Sequence, residues 1–224
     1  MHPDSLWGRR RASIPEVRLR VVCLSDTHGL HERLAVPDGD LLLHAGDFSM
    51  AGRPDEIERF DRWLGSLPHP HKVVVAGNHD FLFERAPEQA RALLTNACYL
   101  EDSETRIDGL RIWGSPWQPW FYDWAFNLQR GPALAAKWDL IPDEIDVLVT
   151  HGPPAAILDR TVGGEDVGCR DLTEALRRVR PRLHLFGHIH EGYGQLEREG
   201  TLHVNASNCD VHYRALQPPI VVEL

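Results

Sequence analysis

Clusters of Asp, His and Asn side chains recur along this 224-residue sequence, each directly after a short apolar run. The five clusters are Asp26-Thr27-His28, Gly46-Asp47, Gly77-Asn78-His79-Asp80, Thr150-His151-Gly152 and Gly187-His188-Ile189-His190. Carboxylate, imidazole and amide groups together suit borderline ions such as Mn²⁺, Fe, Co²⁺ or Zn²⁺, whereas an all-oxygen set would favour Mg²⁺ or Ca²⁺. Most of the clusters, taken singly, are also explained as ordinary turns. Their joint occurrence indicates a metal centre.

The apolar runs before these clusters are predicted to be buried strands, because they are short and rich in Val or Leu. They cover residues 18–24, 40–44, 72–76, 146–149 and 183–186. Helical patterns lie at 54–67, 87–95 and 171–179, and further strands are predicted at 194–199, 201–205 and 220–224. This alternation predicts an α/β fold with largely parallel strands. Functional groups collect at the carboxyl ends of such strands, so we expect the clusters to converge.

In this order the clusters resemble the signature of the calcineurin-like metallophosphoesterase superfamily, which runs D-x-H, G-D, G-N-H-[D/E], H-G and G-H-x-H. The segments LGSLPH, GSPW, THGPP and HIHEGYG are further similar to the small metallophosphoesterase-domain proteins known from vertebrate brain and to their bacterial relatives. The resemblance implies two packed, mostly parallel or mixed β-sheets flanked by helices, an αββα sandwich. It also implies two bound metal ions, with Mn²⁺ expected first and Fe, Co²⁺ or Zn²⁺ as alternatives.

The same resemblance implies a role for each cluster residue. One ion would be held by Asp26, His28, Asp47 and His190, and the other by Asp47, Asn78, His151 and His188. Asp47 would bridge the two ions, since a carboxylate has two oxygens and a negative charge. A hydroxide shared by the ions would attack phosphorus in line, while His79 protonates the leaving oxygen and Asp80 orients the His79 ring. Asn78 and His79 would also contact the substrate.

The reaction that this resemblance implies is hydrolysis of phosphate esters. Phosphodiesters are the expected class, and small cyclic nucleotides (2′,3′ or 3′,5′) are expected among them from the similarity to the brain-type proteins. The alternative enzyme is a phosphomonoesterase, including a phosphoprotein phosphatase. A non-catalytic nucleotide-binding scaffold is the alternative of another class, and the complete set of ligand-type residues argues against it.

An aromatic segment at residues 113–138 contains five of the seven tryptophans. Its Pro and Gly residues disfavour one regular helix. Three interpretations stay open at this point: a satellite core, a homodimer interface, or a wall of the active site that stacks a flat group such as a nucleobase. The substrate-binding interpretation concerns Trp117, Trp120 and Trp124.

Composition limits the partners and the location. A net charge of −9 disfavours polymeric nucleic acid as a partner, and the arginines at 177–182 are explained by the end of a helix. No apolar run reaches the roughly 18–20 residues that a membrane span needs. Four scattered cysteines and the lack of a secretory signal predict a reducing, cytoplasmic location. Residues 1–15 are predicted to form a mobile polar extension, and residues 16–224 a single domain.

Overall fold

The computed structural model describes residues 18–214 and 216–224. The predicted N-terminal extension, residues 1–15, lies outside the described residues, so the division into an extension and one domain stays a prediction. None of the described helices is long and apolar enough to cross a membrane.

Strands and helices alternate through most of the described chain. The strands are β1 (Arg20–Leu24), β2 (Leu41–His44), β3 (His71–Val74), β4 (Cys98–Tyr99), β5 (Ser103–Ile107), β6 (Leu110–Ser115), β7 (Gln118–Pro119), β8 (Asn127–Leu128), β9 (Val147–Thr150), β10 (Leu183–Phe186), β11 (Gly194–Arg198), β12 (Thr201–Asn205) and β13 (Ile220–Glu223). The helices are α1 (Pro54–Ser66), α2 (Phe81–Arg85), α3 (Pro87–Leu93), α4 (Pro132–Trp138) and α5 (Arg170–Val179). Helices α1, α3 and α4 begin at a proline, which suits the first helical turn because no N–H is needed there.

Two mixed sheets carry nearly all of these strands. The first has the order β13-β1-β2-β3-β4, with β1 to β4 parallel and β13 antiparallel to β1. The second has the order β11-β12-β10-β9-β6-β5, in which β12, β10, β9 and β6 are parallel. Its edge strands β11 and β5 are antiparallel to their neighbours. The parallel strands within each sheet therefore end at a common edge.

The two sheets pack face to face, and helices cover both outer faces. Alternate side chains such as Val21 and Leu43 of the first sheet meet Val149 and Leu185 of the second in the central core. A second core lies between the first sheet and α1, α2 and α3, and a third lies between the second sheet and α4 and α5. The central strands are buried on both faces, which explains their uninterrupted apolar sequences.

The predicted αββα sandwich is confirmed. Each predicted strand and helix is present, with its ends shifted by at most two residues. Several elements were not predicted: the short helix α2, helix α4 within the aromatic segment, the two-residue strands β4, β7 and β8, and the β5–β6 hairpin. That hairpin turns at Asp108 and Gly109, which have φ values of 48° and 88°. An Asp-Gly pair is a strong hairpin signal because both central residues of the turn need positive φ.

Candidate metal centre

The five clusters meet at one edge of the sandwich, as the strand-end argument predicted. The first sheet supplies the residues that follow β1, β2 and β3, namely Asp26, His28, Asp47 and Asn78. The second sheet supplies the residues that follow β9 and β10, namely His151, His188 and His190. Neither sheet carries the whole set, so the site is built by the packing of one sheet on the other.

Three overlapping groups of side chains have ligand atoms within 4.8 Å of one another. They are Asp26 with His28 and His190, His28 with Asp47 and His79, and Asp47 with His151 and His188. Asp47 Oδ2 lies 3.5 Å from His151 Nε2 and 3.8 Å from His28 Nε2. Asn78 Oδ1 lies 2.8 Å from His151 Nε2. All seven predicted ligands therefore belong to one cluster, and Asp47 lies between its two halves.

Four of the seven residues have a left-handed backbone conformation. Their φ values are 51° for Asp26, 41° for His28, 55° for Asp47 and 68° for His188. Residues other than glycine rarely adopt such values, and this kind of strain is concentrated at functional sites. The sharp turn directly after the strand lets two residues of one loop, such as Asp26 and His28, both reach the cluster.

Two glycines leave the space that the buried carboxylates occupy. A Cβ atom at Gly77 would collide with the carboxylate of Asp47, and one at Gly187 would collide with that of Asp26. Glycine at these positions is therefore required by close approach between the loops of different strands.

The polar atoms around Asp26 fit a set of metal ligands. Asp26 Oδ1 is buried and accepts no hydrogen bond from the described residues, although His190 Nε2 lies 3.3 Å away. His28 Nε2 and His190 Nε2 face each other at 3.3 Å. Two imidazole nitrogens and a buried carboxylate oxygen that converge in this way need a proton or a cation between them.

The outer nitrogens of two histidines are fixed by backbone carbonyl groups. His151 Nδ1 donates to the carbonyl oxygen of Ala45 at 2.9 Å, and His190 Nδ1 donates to that of Asp210 at 3.0 Å. The neutral form of each ring then has its lone pair on Nε2, which lies within the cluster. Metal-binding histidines commonly have their second nitrogen held in this way, because the contact fixes the tautomer and the ring orientation.

Protonation within the cluster follows from burial and from the two carboxylates. Burial lowers the pKa of His188 to about 3. Burial also opposes protonation of His151 and His190, but the carboxylates of Asp47 and Asp26 outweigh it and raise the pKa of each histidine to about 9. A metal ion binds the unprotonated ring, so binding has to displace these protons and weakens as pH decreases.

Comparison with known proteins decides the family. A family model described as "Calcineurin-like phosphoesterase" matches residues 19–192. The chain belongs to this family. It is 48% identical over 230 residues to human metallophosphoesterase domain-containing protein 1, an alignment that covers 92% of this chain and 71% of the human protein. This member of the calcineurin-like phosphoesterases is therefore a metal-dependent hydrolase of phosphate esters, and its family uses divalent metal ions.

Two further proteins are similar to this phosphoesterase, one in sequence and one in fold. A protein from Synechococcus described as a probable cyclic nucleotide phosphodiesterase is 29% identical over 163 residues, which covers 70% of this chain and 60% of that protein. The crystal structure of TT1561 from Thermus thermophilus superposes with a TM-score of 0.60 at 17% identity and covers 92% of this chain and 98% of that one. The latter likeness shows that the two proteins share a fold.

His79 lies against the metal-binding cluster of this phosphoesterase. Its Nδ1 donates to the carbonyl oxygen of Met50 at 2.8 Å, and its backbone N–H donates to Asp47 Oδ1 at 2.8 Å. The remaining ring nitrogen, Nε2, lies 4.0 Å from Asp47 Oδ2. The hydrogen bond at Nδ1 therefore fixes the ring, and Nε2 is the ring nitrogen that faces the metal-binding cluster.

The position of Asp80 corrects the prediction that this residue orients the ring of His79. The Asp80 carboxylate instead accepts hydrogen bonds from the backbone N–H groups of Asp47 (2.8 Å), Gly77 (2.8 Å) and Ser49 (3.1 Å). It also accepts one from the Ser49 hydroxyl at 2.6 Å. A backbone carbonyl group takes the orienting role, and Asp80 ties the loop after β2 to the loop after β3.

Replacement of Asp80 by Asn should lower the free energy of unfolding by about 2–4 kcal/mol. The new amide group would face N–H donors, and each buried donor left without an acceptor costs about 1–3 kcal/mol. Chemical denaturation measures the effect, and Asp55→Asn on the exposed start of α1 is the control. If Asp80→Asn were as stable as the parent protein and lost activity only towards substrates with poor leaving groups, the result would support the prediction that Asp80 orients the ring of His79.

The aromatic segment is partly a satellite core, as one of the three interpretations held. Trp113 and Trp138, the last residue of α4, are buried in the core between the second sheet and helices α4 and α5. Trp117 is half-buried, and its Nε1 donates to Asp102 at 2.9 Å. These three tryptophans pack around the second sheet, and the substrate-binding role of Trp117 stays a prediction.

The rest of the segment contacts the site or the solvent. The ring centroid of Trp124 lies 4.3 Å from that of His79, and Phe81 stacks on the same indole at 5.7 Å. Phe121 lies 6.4 Å from His188, ring to ring. Trp120 is 53% exposed. Of the three tryptophans predicted to bind substrate, Trp124 is the one that packs on a ring of the cluster.

Tyr213 is a site residue that the sequence did not reveal. Its ring centroid lies 4.5 Å from that of His28, 5.7 Å from that of His190 and 6.2 Å from that of His79. It follows no strand and belongs to no cluster. Tyr213 lies close in sequence to Asp210, whose carbonyl group accepts from His190, but only the fold shows that this segment contacts the cluster.

Proposed function

We propose that this phosphoesterase hydrolyses phosphodiesters, with small cyclic nucleotides (2′,3′ or 3′,5′) as its substrate class. The observation that carries the proposal is the indole of Trp124, packed 4.3 Å from the ring of His79 at the edge of the metal-binding cluster. A flat ring there offers a stacking surface to a base joined to the reacting phosphate. Tyr213, on His28, adds a second aromatic surface. The name of the Synechococcus relative supports the same class.

The cluster is proposed to hold two divalent cations, Mn²⁺ first, with Fe, Co²⁺ or Zn²⁺ as alternatives. One set of ligands is Asp26, His28, Asp47 and His190, and the other is Asp47, Asn78, His151 and His188. The bridging role of Asp47 is supported by the position of its Oδ2 atom, 3.5 Å from His151 Nε2 and 3.8 Å from His28 Nε2, one histidine from each set of ligands. When bound, such a pair of cations lowers the pKa of a shared water towards neutrality and neutralises charge on the phosphate.

His79 is proposed to protonate the leaving oxygen. Its Nδ1 proton is engaged by the Met50 carbonyl group, so a proton on Nε2 is the one that can be transferred. A protonated imidazole is an acid that can donate this proton to a departing alkoxide. Asn78, which immediately precedes His79, is proposed to contact the phosphate as well.

A reducing, cytoplasmic location is proposed on the state of the cysteines. All four are free thiols, and Cys23, Cys169 and Cys209 are buried while Cys98 is exposed. Structural disulfides are typical of proteins that leave the reducing compartments, and buried free thiols suit a protein that stays within them.

A substrate panel tests the reaction class. After reconstitution with Mn²⁺, we expect the highest kcat/KM for cyclic nucleotides, a lower value for bis-p-nitrophenyl phosphate, and the lowest for phosphomonoesters and phosphopeptides. A strong chelator should abolish the activity, and Mn²⁺ should restore it. Preference for monoesters or phosphopeptides would replace the proposal by a phosphomonoesterase. Nucleotide binding without turnover by the metal-loaded protein would indicate a scaffold.

Replacement of Trp124 by Ala should raise KM for cyclic nucleotides by about five- to 150-fold. This range corresponds to a stacking contact of about 1–3 kcal/mol. KM for a small alkyl phosphodiester without a base should change little. Steady-state kinetics on the two substrates gives the comparison.

Trp120→Ala is the matched control, because the Trp120 indole is 53% exposed in the same segment. It should leave both KM values unchanged. If Trp120 instead belongs to a homodimer interface, light scattering should show a decrease in mass for this variant. An equal rise in KM for both substrates in Trp124→Ala would contradict base stacking.

A further inference from the structure

A cavity of about 290 Å³ lies between α5 and the β11–β12 hairpin, and none of the seven proposed metal ligands lines it. Four arginines line this cavity against two glutamates, namely Arg170, Arg177, Arg180 and Arg198 against Glu174 and Glu199. The chain as a whole has a net charge of −9. The cavity is therefore locally positive although the chain is negative as a whole, and this local charge favours the binding of an anion.

One of the four guanidinium groups, that of Arg177, forms an ion pair among the described residues, with Glu174 at 2.6 Å. Arg198 donates to the carbonyl oxygen of Ala156 at 3.3 Å, and Nε of Arg180 donates to that of Arg177 at 3.1 Å, which leaves the two terminal nitrogens of Arg180 available. Arg170 and Arg180 form no ion pair with the carboxylates of residues 18–214 and 216–224. Their charges are therefore not neutralised within the described fold.

A buried histidine also lines the cavity. His203 is 3% exposed, and its Nδ1 lies 3.3 Å from Nδ1 of His184, its partner on the neighbouring strand. The other ring nitrogen of His184, Nε2, lies 2.9 Å from the hydroxyl of Thr150. The Thr150 hydroxyl in turn donates its proton to the carbonyl oxygen of Gly152 at 2.9 Å.

The donor and the acceptor of each hydrogen bond in this series follow from the bond between the Thr150 hydroxyl and the Gly152 carbonyl oxygen. A hydroxyl has one proton, so the Thr150 oxygen must accept from His184 Nε2–H. His184 is fully buried, and burial holds its pKa well below the usual range, so the ring is neutral and its Nδ1 is an acceptor. His203 Nδ1 therefore donates. Burial and the charge of Arg198 lower the pKa of His203 to about 4, and its Nε2 then carries a lone pair.

We propose that this cavity binds a small organic phosphate that carries a hydroxyl group. The guanidinium groups of Arg170 and Arg180 contact the phosphate, and Nε2 of His203 accepts a hydrogen bond from the hydroxyl. Arginine recognises phosphate through charge-assisted hydrogen bonds. The neutral imidazole acceptor disfavours a second anionic oxygen and favours a donor. The proposal does not depend on the substrate class of the metal centre.

Calorimetric titration with 2-hydroxyethylphosphonate tests the site, because an esterase does not cleave its carbon–phosphorus bond. The metal-loaded parent protein should show one binding event per chain that is absent from the double variant Arg170→Gln, Arg180→Gln. Phosphodiester kcat/KM should be the same in both proteins. Arg62→Gln, on the exposed face of α1, is the matched control and should keep the event. Identical isotherms for the parent and the double variant, or no binding to the parent, would overturn the proposal.

The hydroxyl contact has two independent tests. Propylphosphonate, which replaces the hydroxyl by a methyl group, should bind this cavity about three- to tenfold more weakly, as expected for one lost hydrogen bond. Nitrogen NMR at neutral pH should show His203 protonated on Nδ1 and not on Nε2. Equal affinities or the opposite tautomer would remove His203 from the site.

The source of the phosphate is distinguished by two natural probes. Adenosine 5′-monophosphate and glycerol 3-phosphate share the proposed chemistry, and Asp47→Ala protein allows their binding to be measured without hydrolysis. Tighter binding of the first indicates a nucleotide, and tighter binding of the second indicates a phosphorylated polyol. If neither binding event depends on Arg170 and Arg180, the proposal is wrong.

Discussion

Replacement of Asp47 by Ala should reduce kcat/KM for every phosphodiester by more than about 100-fold, and by more than replacement of any other proposed ligand. The Oδ2 atom of Asp47 lies 3.5 Å from His151 Nε2 and 3.8 Å from His28 Nε2, which belong to the two halves of the cluster. Loss of a partner that only supports a metal ligand costs about 10–100-fold. Loss of a carboxylate that both halves of the cluster share should reduce kcat/KM further. Metal analysis should show that both ions are lost together.

Two matched variants separate charge from structure. Asp47→Asn keeps an oxygen that can accept from the backbone N–H of His79, a contact of 2.8 Å in the parent protein, but it removes the charge. We expect it to be nearly as inactive as Asp47→Ala while its thermal stability is better preserved. Asp55→Asn, at the exposed start of α1, should behave as the parent. An Asp47→Asn protein that retains two ions and parental activity would contradict the bridging role.

The position of the metal centre could be predicted from the sequence because the physics that places it is simple. Buried parallel strands are visible as short apolar runs, and their carboxyl ends must share an edge. Asp26 and Asp47 illustrate this, since they follow the neighbouring parallel strands β1 and β2 of the first sheet, and the backbone N–H of His28 donates to the carbonyl oxygen of Asp47 at 2.9 Å. The convergence across two sheets came from the family resemblance, since the apolar runs alone do not say how many sheets they form.

The supporting contacts could not be predicted, because backbone atoms provide many of them. The Met50 carbonyl group holds His79, and the Ala45 carbonyl group holds His151. Every residue has a carbonyl group, so no residue type marks these positions in the sequence. The prediction for Asp80 failed for the same reason. Its carboxylate accepts mostly from backbone N–H groups, whereas the prediction paired it with the neighbouring side chain of His79.

The tryptophans show how tertiary contacts decide between equivalent sequence positions. Trp117, Trp120 and Trp124 all lie in one irregular segment, and nothing local distinguishes them. Asp102 engages Trp117, whereas Trp124 reaches His79. The paired histidines of β10 and β12 are a similar case, since their contact depends on the register of two strands that are distant in sequence.

Replacement of His79 by Gln should reduce kcat by about 10²–10⁴-fold for 2′,3′-cyclic AMP and by much less for bis-p-nitrophenyl phosphate. An alkoxide leaves poorly without a proton, so the substrate that releases one depends on a general acid, which typically contributes this factor. The p-nitrophenolate ion is stable without protonation, and its departure does not need the imidazole. Single-turnover rates on the two substrates measure the chemical step directly, without product release.

Several features of the site make this comparison decisive. Gln preserves the backbone N–H that donates to Asp47 Oδ1, so the metal content should be unchanged and can be verified for the same preparation. Trp124→Ala provides the contrast, because it removes the ring that packs on His79 and should raise KM for the nucleotide without the same loss in kcat. If His79→Gln slowed both substrates equally at full metal occupancy, His79 would position the phosphate instead of protonating the leaving oxygen. The proton would then have to come from water, since among the described residues no other imidazole outside the seven proposed ligands belongs to the metal-binding groups.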